Sequence, residues 1–88
     1  MEPIRGLSST LGSAAQMALL VELKSGPQTV SDLHAGTKQD QVAVSQRLRI
    51  LRERGLVDFT VDGRYRWYKL TPDGRKFLRG AAAMTPGT

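Results

Sequence analysis

The chain has 88 residues, no cysteine and a formal net charge of +5. That length makes one small domain, near the size at which a lone hydrophobic core is marginal and a partner subunit is welcome. The lack of cysteine excludes a disulfide framework and a thiolate metal site, and no leader pattern or membrane-length apolar run is present, so a soluble cytoplasmic protein is expected.

Residues 1–7 carry no periodic signal and are expected to be a flexible arm. From Ser8 or Ser13, either a suitable N-cap, the run 14–24 reads as a helix that is apolar almost all round. Such a helix lies deep in a core or is shared with another subunit, and in so small a domain the second is the expectation. Ser25-Gly26-Pro27 stops it. Gln28-Thr29-Val30 reads as a short extended piece, Ser31 as the N-cap of a brief helix over Asp32-Leu33-His34-Ala35, and Gly36-Thr37-Lys38-Gln39 as a turn.

The next helix is the one around which the rest is organised. Asp40 is placed to N-cap it, and Gly55 stands where a left-handed residue closes a helix. Val44, Leu48 and Leu51 share one stripe, with Ala43 and Ile50 at its margin. Val42, Ser45, Gln46 and Arg49 fall on the opposite side, with Gln41 at the edge. Two helices joined by so few residues make a helix-turn-helix, whose second member enters a DNA groove.

Beyond Gly55 the pattern becomes extended. Val57-Asp58-Phe59-Thr60 and Arg64-Tyr65-Arg66-Trp67-Tyr68-Lys69-Leu70 flank Val61-Asp62-Gly63, a hairpin signal. With a three-residue loop, Val57 and Phe59 share a face with Tyr65 and Trp67, and Asp58 opposes Arg66; with an Asp62-Gly63 turn, Phe59 opposes Arg66 instead. Thr71-Pro72-Asp73 then opens a helix to about Met84, with Thr71 as N-cap. Phe77, Ala81 and Met84 form its stripe and Leu78 and Ala82 lie beside it, making it a second candidate dimer element. Residues 85–88 read as a flexible end. The fold class is mainly α with a small β hairpin, a winged helix-turn-helix filling residues 1–88 as a single domain.

Charge sharpens the functional reading. Residues 1–44 hold three basic residues against four acidic ones, whereas residues 45–79 hold ten against four. A basic half beside a near-neutral half suits a polyanion. The candidate DNA-binding residues are Gln41, Val42, Ser45, Gln46 and Arg49 on the helix and Arg64 and Arg66 on the hairpin. The polar ones suit base edges or phosphate, while Val42 can offer only apolar contact, for instance to a thymine methyl. No Ser–His–Asp set, paired carboxylates or Gly-rich phosphate loop supports catalysis.

The segment Val44-Ser45-Gln46-Arg47-Leu48-Arg49-Ile50-Leu51-Arg52-Glu53-Arg54-Gly55-Leu56-Val57, followed by the basic-aromatic hairpin Gly63–Leu70, resembles the signature of the ArsR/SmtB family of winged-helix repressors. Leu70-Thr71-Pro72-Asp73-Gly74-Arg75 is more like the ending of MarR-type winged helices. The resemblance implies a homodimeric, sequence-specific repressor of double-stranded DNA, paired through helices 14–24 and 72–84, working at the nucleoid in the cytoplasm. The family's metal chemistry does not carry over. Its cysteine-valine-cysteine ligand segment falls on Thr29-Val30-Ser31, residues 72–84 offer only Asp73, and His34 is a solitary imidazole. No metal or other cofactor is expected. Two alternatives use the same residues: a protein-docking module, and a non-specific architectural nucleic-acid binder.

Overall fold

Helix ends leave backbone donors and acceptors without partners, and in this chain the side chains and turns that satisfy them decide where each element begins. In the computed structural model the described residues are 14–83. The arm 1–7, the caps Ser8 and Ser13, Met84 and the end 85–88 lie outside them. The elements are helix α1 (described over 14–22), a 3-10 turn Leu23–Ser25, α2 (Val30–Thr37), α3 (Gln41–Glu53), strands β1 (Val57–Asp62) and β2 (Tyr65–Leu70), and α4 (Pro72–Ala83).

α2 starts earlier than expected. Thr29, not Ser31, is its N-cap: the Thr29 hydroxyl accepts from the Asp32 amide and the Asp32 carboxylate accepts from the Thr29 amide, both at 3.1 Å. This reciprocal box needs an acceptor three residues past the cap, which Asp32 supplies for Thr29. Gln28 forms no strand but a single antiparallel bridge to Tyr68, its amide and carbonyl bonding at 2.9 and 2.8 Å. The helix also runs on through Gly36 and Thr37, residues expected in the turn. It ends at Lys38, whose φ of 63° lets its amide reach the His34 carbonyl at 2.8 Å.

α3 begins and ends where the sequence places it. The Asp40 carboxylate accepts from the amides of Val42 (3.0 Å) and Ala43 (3.3 Å). At the other end Gly55 takes φ 78°, its amide bonds the Arg52 carbonyl at 2.9 Å, and the Leu56 amide bonds the Leu51 carbonyl at 3.0 Å. This is a Schellman closure. Val44, Leu48 and Leu51 are at most 1% exposed, whereas Ile50 turns outward.

The hairpin adopts neither expected register. Asp62 pairs with Tyr65, Val61 with Arg66, Thr60 with Trp67, Phe59 with Tyr68, Asp58 with Lys69 and Val57 with Leu70. The loop is therefore Gly63-Arg64, with glycine first and at φ 65°, the pattern of a type II′ turn. Val57, Phe59, Arg66, Tyr68 and Leu70 share the inner face. Tyr68 and Leu70 are buried, Tyr65 is exposed and Trp67 half-buried on the other face, and Asp58 opposes Lys69 rather than Arg66.

α4 is tied to the end of α3. The Thr71 hydroxyl accepts from the Gly74 amide (3.0 Å) and donates to the Gly55 carbonyl (2.6 Å), while the Thr71 amide bonds the Leu56 carbonyl (3.1 Å). The helix meets the core through Leu78, not through Phe77, which is 45% exposed. The core joins Leu19, Leu20, Leu23, Leu33, Val44, Leu48, Leu51, Val57, Tyr68, Leu70 and Leu78, with Met17, Val30, Leu56 and Phe59 packed against it. Leu56 is half-buried.

Gly74 is required by this junction, because a Cβ there would overlap the Leu56 carbonyl oxygen, a backbone atom that cannot swing aside. Gly74→Ala is therefore expected to destabilise the fold by about 1–3 kcal/mol, as overpacking does. Urea unfolding measures this; an unchanged midpoint would mean that α4 seats elsewhere.

Candidate nucleic-acid interface

Burial of Val44, Leu48 and Leu51 fixes the rotation of α3 about its axis, so its opposite side must face water. Gln41, Val42, Ser45, Gln46 and Arg49 are all exposed, as are Arg64 and Arg66 on the hairpin. The Arg49 side chain is 81% exposed and lies 3.5 Å from Glu53 one turn on. An exposed pair of this kind contributes little to stability and leaves the guanidinium available.

α3 and the hairpin enclose an open cleft of about 420 Å³, lined by Ser45, Arg49, Arg52, Glu53, Arg66 and Tyr68. A second, of about 310 Å³, is shared with the start of α2. Ser45, Arg66 and Tyr68 line it too, now with Thr29, Val30, Ser31, Arg64 and Tyr65. Of the seven residues singled out from sequence, Ser45, Arg49, Arg64 and Arg66 are thus gathered around one ridge. Gln41, Val42 and Gln46 stand on the same exposed side of α3 but line neither cleft.

Two residues essential to this arrangement were not singled out. Arg52 lies one turn beyond Arg49 and two beyond Ser45, so helical spacing alone could have placed it on the cleft wall. Phe59 enters the sequence reading only through the hairpin register, with no role of its own. Its ring carries both the Arg52 guanidinium, 4.5 Å from its centroid, and that of Arg66, at 4.8 Å, and it tilts at 55° against the Tyr68 ring 5.3 Å away. Phe59 holds one arginine from the helix and one from the wing against a single aromatic ring. Arg52 also sits 3.9 Å from Asp58. Among the described residues, neither Arg64 nor Arg66 has a carboxylate within salt-bridge distance.

Arg47 turns away from this surface. Its Nη1 donates to Gln39 Oε1 at 2.9 Å, and Gln39 Nε2 donates to the Ala15 carbonyl at 3.0 Å, joining α3 to α1. His34 is exposed, its Nδ1 donating to the Gln39 carbonyl at 2.6 Å. Among the described residues, no three of the His, Asp and Glu side chains are grouped so as to hold a metal ion. No helix there is long and apolar enough to cross a membrane.

Phe59→Leu keeps apolar bulk but removes the π face. The expected cost is about 1–2 kcal/mol in urea unfolding, from two cation–π contacts of roughly 0.5–1 kcal/mol each. The Arg66 Nε–Hε heteronuclear NOE should fall with it; an unchanged NOE would show that the ring does not restrain the arginine.

Comparison with known proteins places this geometry in a family. The model of the bacterial regulatory proteins of the arsR family matches residues 15–58. The HTH-type transcriptional regulator NmtR of Mycobacterium tuberculosis is 40% identical over 47 residues, 53% of this chain and 39% of that protein. A crystal structure of a possible transcriptional regulator for arsenical resistance superposes with a TM-score of 0.68 at 41% identity, over 80% of this chain and 73% of the other. BpsR of Bordetella bronchiseptica, whose DNA binding is regulated by 6-hydroxynicotinic acid, superposes with a TM-score of 0.74 at 30% identity, over 80% of this chain and 52% of the other. The chain thus spans about two fifths of NmtR and about half of BpsR. NmtR is named as a transcriptional regulator and the arsenical-resistance protein as a possible one. The chain belongs to the ArsR family of bacterial regulatory proteins and has a winged-helix fold.

Proposed function

We propose that the chain binds double-stranded DNA in a sequence-specific manner, as one half of a homodimer that represses by occluding an inverted repeat. The observation that carries this reading is the division of α3 into two faces: three aliphatic side chains closed off from water, and Gln41, Val42, Ser45, Gln46 and Arg49 open to it. A helix of this diameter fits the major groove, where amide and guanidinium groups can read base edges and the serine can take a phosphate. Arg64 and Arg66, projecting from the hairpin beside it, serve as a wing on the flanking backbone. The DNA-binding of BpsR supports the same use of the fold here.

The dimer is supported by what α1 and α4 leave uncovered. Phe77 is exposed over a groove lined by Met17, Leu20, Leu51 and Leu56, and Val21 on α1 is exposed as well. A second copy would cover this surface and set two α3 helices about one helical turn (~34 Å) apart. A protein of this kind works at the nucleoid, in the cytoplasm.

Selection from a random duplex pool tests the reading. The expected product is an inverted repeat with half-sites about ten base pairs apart. Arg49→Ala is expected to lose about 1–3 kcal/mol of discrimination at one base-pair position per half-site. Recovery of no common sequence, or an Arg49→Ala protein with unaltered preference, would contradict it. Random duplex DNA that fails to compete at physiological salt would point to a protein-docking role instead.

A further inference from the structure

Tyr68 combines deep burial with an unspent polar atom. The residue is 7% exposed, its ring leans on Phe59, and its own amide and carbonyl are both bonded to Gln28. Its hydroxyl bonds to no described residue. Yet no side-chain oxygen or nitrogen among the described residues is left both buried and without a partner. The hydroxyl is therefore not left both buried and unpartnered, and Tyr68 lines two open clefts, one shared with Arg49 and Arg52, the other with Arg64 and Ser31. Ser45 and Arg66 line both clefts with it.

An unbonded hydroxyl on a side chain otherwise locked in the core is a donor that loses little freedom when it binds. The long side chains of Arg49 and Arg64, which the Phe59 ring does not hold, supply positive charge but must be ordered on binding. From this we infer that the Tyr68 hydroxyl is a DNA-contacting group, donating to a backbone phosphate oxygen that sits between α3 and the wing while Arg66 neutralises its charge. The inference rests on the DNA reading above and adds to it a neutral, pre-positioned contact at the junction of helix and hairpin. Tyrosine is one of the side chains that make such phosphate contacts, which fix register on the duplex and carry no sequence information.

Wild type, Tyr68→Phe and Arg66→Gln are titrated by fluorescence anisotropy against one labelled mixed-sequence duplex of about 30 base pairs, long enough for two half-sites, over a series of salt concentrations. Melting curves establish that each protein is fully folded at the assay temperature. Tyr68→Phe keeps the ring and its packing, and is expected to bind roughly 3–10-fold more weakly at every salt concentration. Because the hydroxyl is uncharged, the slope of log affinity against log salt should match wild type, whereas Arg66→Gln should lower that slope by about 1. Equal affinity of Tyr68→Phe and wild type would overturn the inference. So would a loss accompanied by a flatter salt dependence, since that would mean that the arginines had moved. If wild type itself ignores duplex DNA, the DNA reading fails first and the role of Tyr68 falls with it.

Discussion

The insertion of Val44, Leu48 and Leu51 into the core is the constraint on which the rest of the molecule depends. Three aliphatic side chains on one stripe, each contributing about 1.5–3 kcal/mol when buried, leave α3 with a single rotational setting. Everything polar on the helix is then placed by default. Asp40 at one end and Gly55 at the other limit its length, and the exposed side carries Gln41, Val42, Ser45, Gln46 and Arg49, followed by Ile50, Arg52 and Glu53 in its last turn. The helix is held tightly, while the face it offers makes few commitments within the protein.

The hairpin extends that face instead of standing apart from it. Leu70 and Val57 must both enter the core, and alternation along the strands then brings Tyr68, Phe59 and Arg66 to the same side. Phe59 meets Arg52 from the helix and Arg66 from the wing, so the two basic elements share a surface that sets their spacing. Thr71 and Gly74 close the other end by tying the last helix to the Gly55–Leu56 turn. This member of the ArsR family therefore carries its basic surface on parts that are braced at three points: the caps of α3, the Phe59 ring and the Thr71 junction.

Much of this was legible in the sequence wherever the determinant is local. Asp40, Gly55 and Thr71 act on the backbone within a few residues, and each does what its position suggested. Thr29 was equally legible, since Asp32 stands three residues beyond it, but Ser31 lies nearer the apolar residues and drew the assignment. The hairpin register was harder. Asp62-Gly63 is itself a good turn pair, and the choice of Gly63-Arg64 is made by Leu70, whose burial settles the parity of the whole strand. Taking Leu70 as the fixed point would have put Tyr68 inside and Tyr65 out. The need for glycine at position 74 was not legible in physical terms, because it arises from the Leu56 carbonyl, distant in sequence. Nor was the exposure of Phe77, which depends on how α4 turns to seat Leu78.

The central claim is that one continuous surface, the outer side of α3 with the tip of the hairpin, meets the DNA. Backbone amide shifts followed by NMR while duplex DNA is added test it most directly. The account predicts that the largest changes fall on residues 41–49 and 62–66, with those of α1 and α4 small. Changes concentrated on α1 and α4, with α3 unmoved, would contradict it.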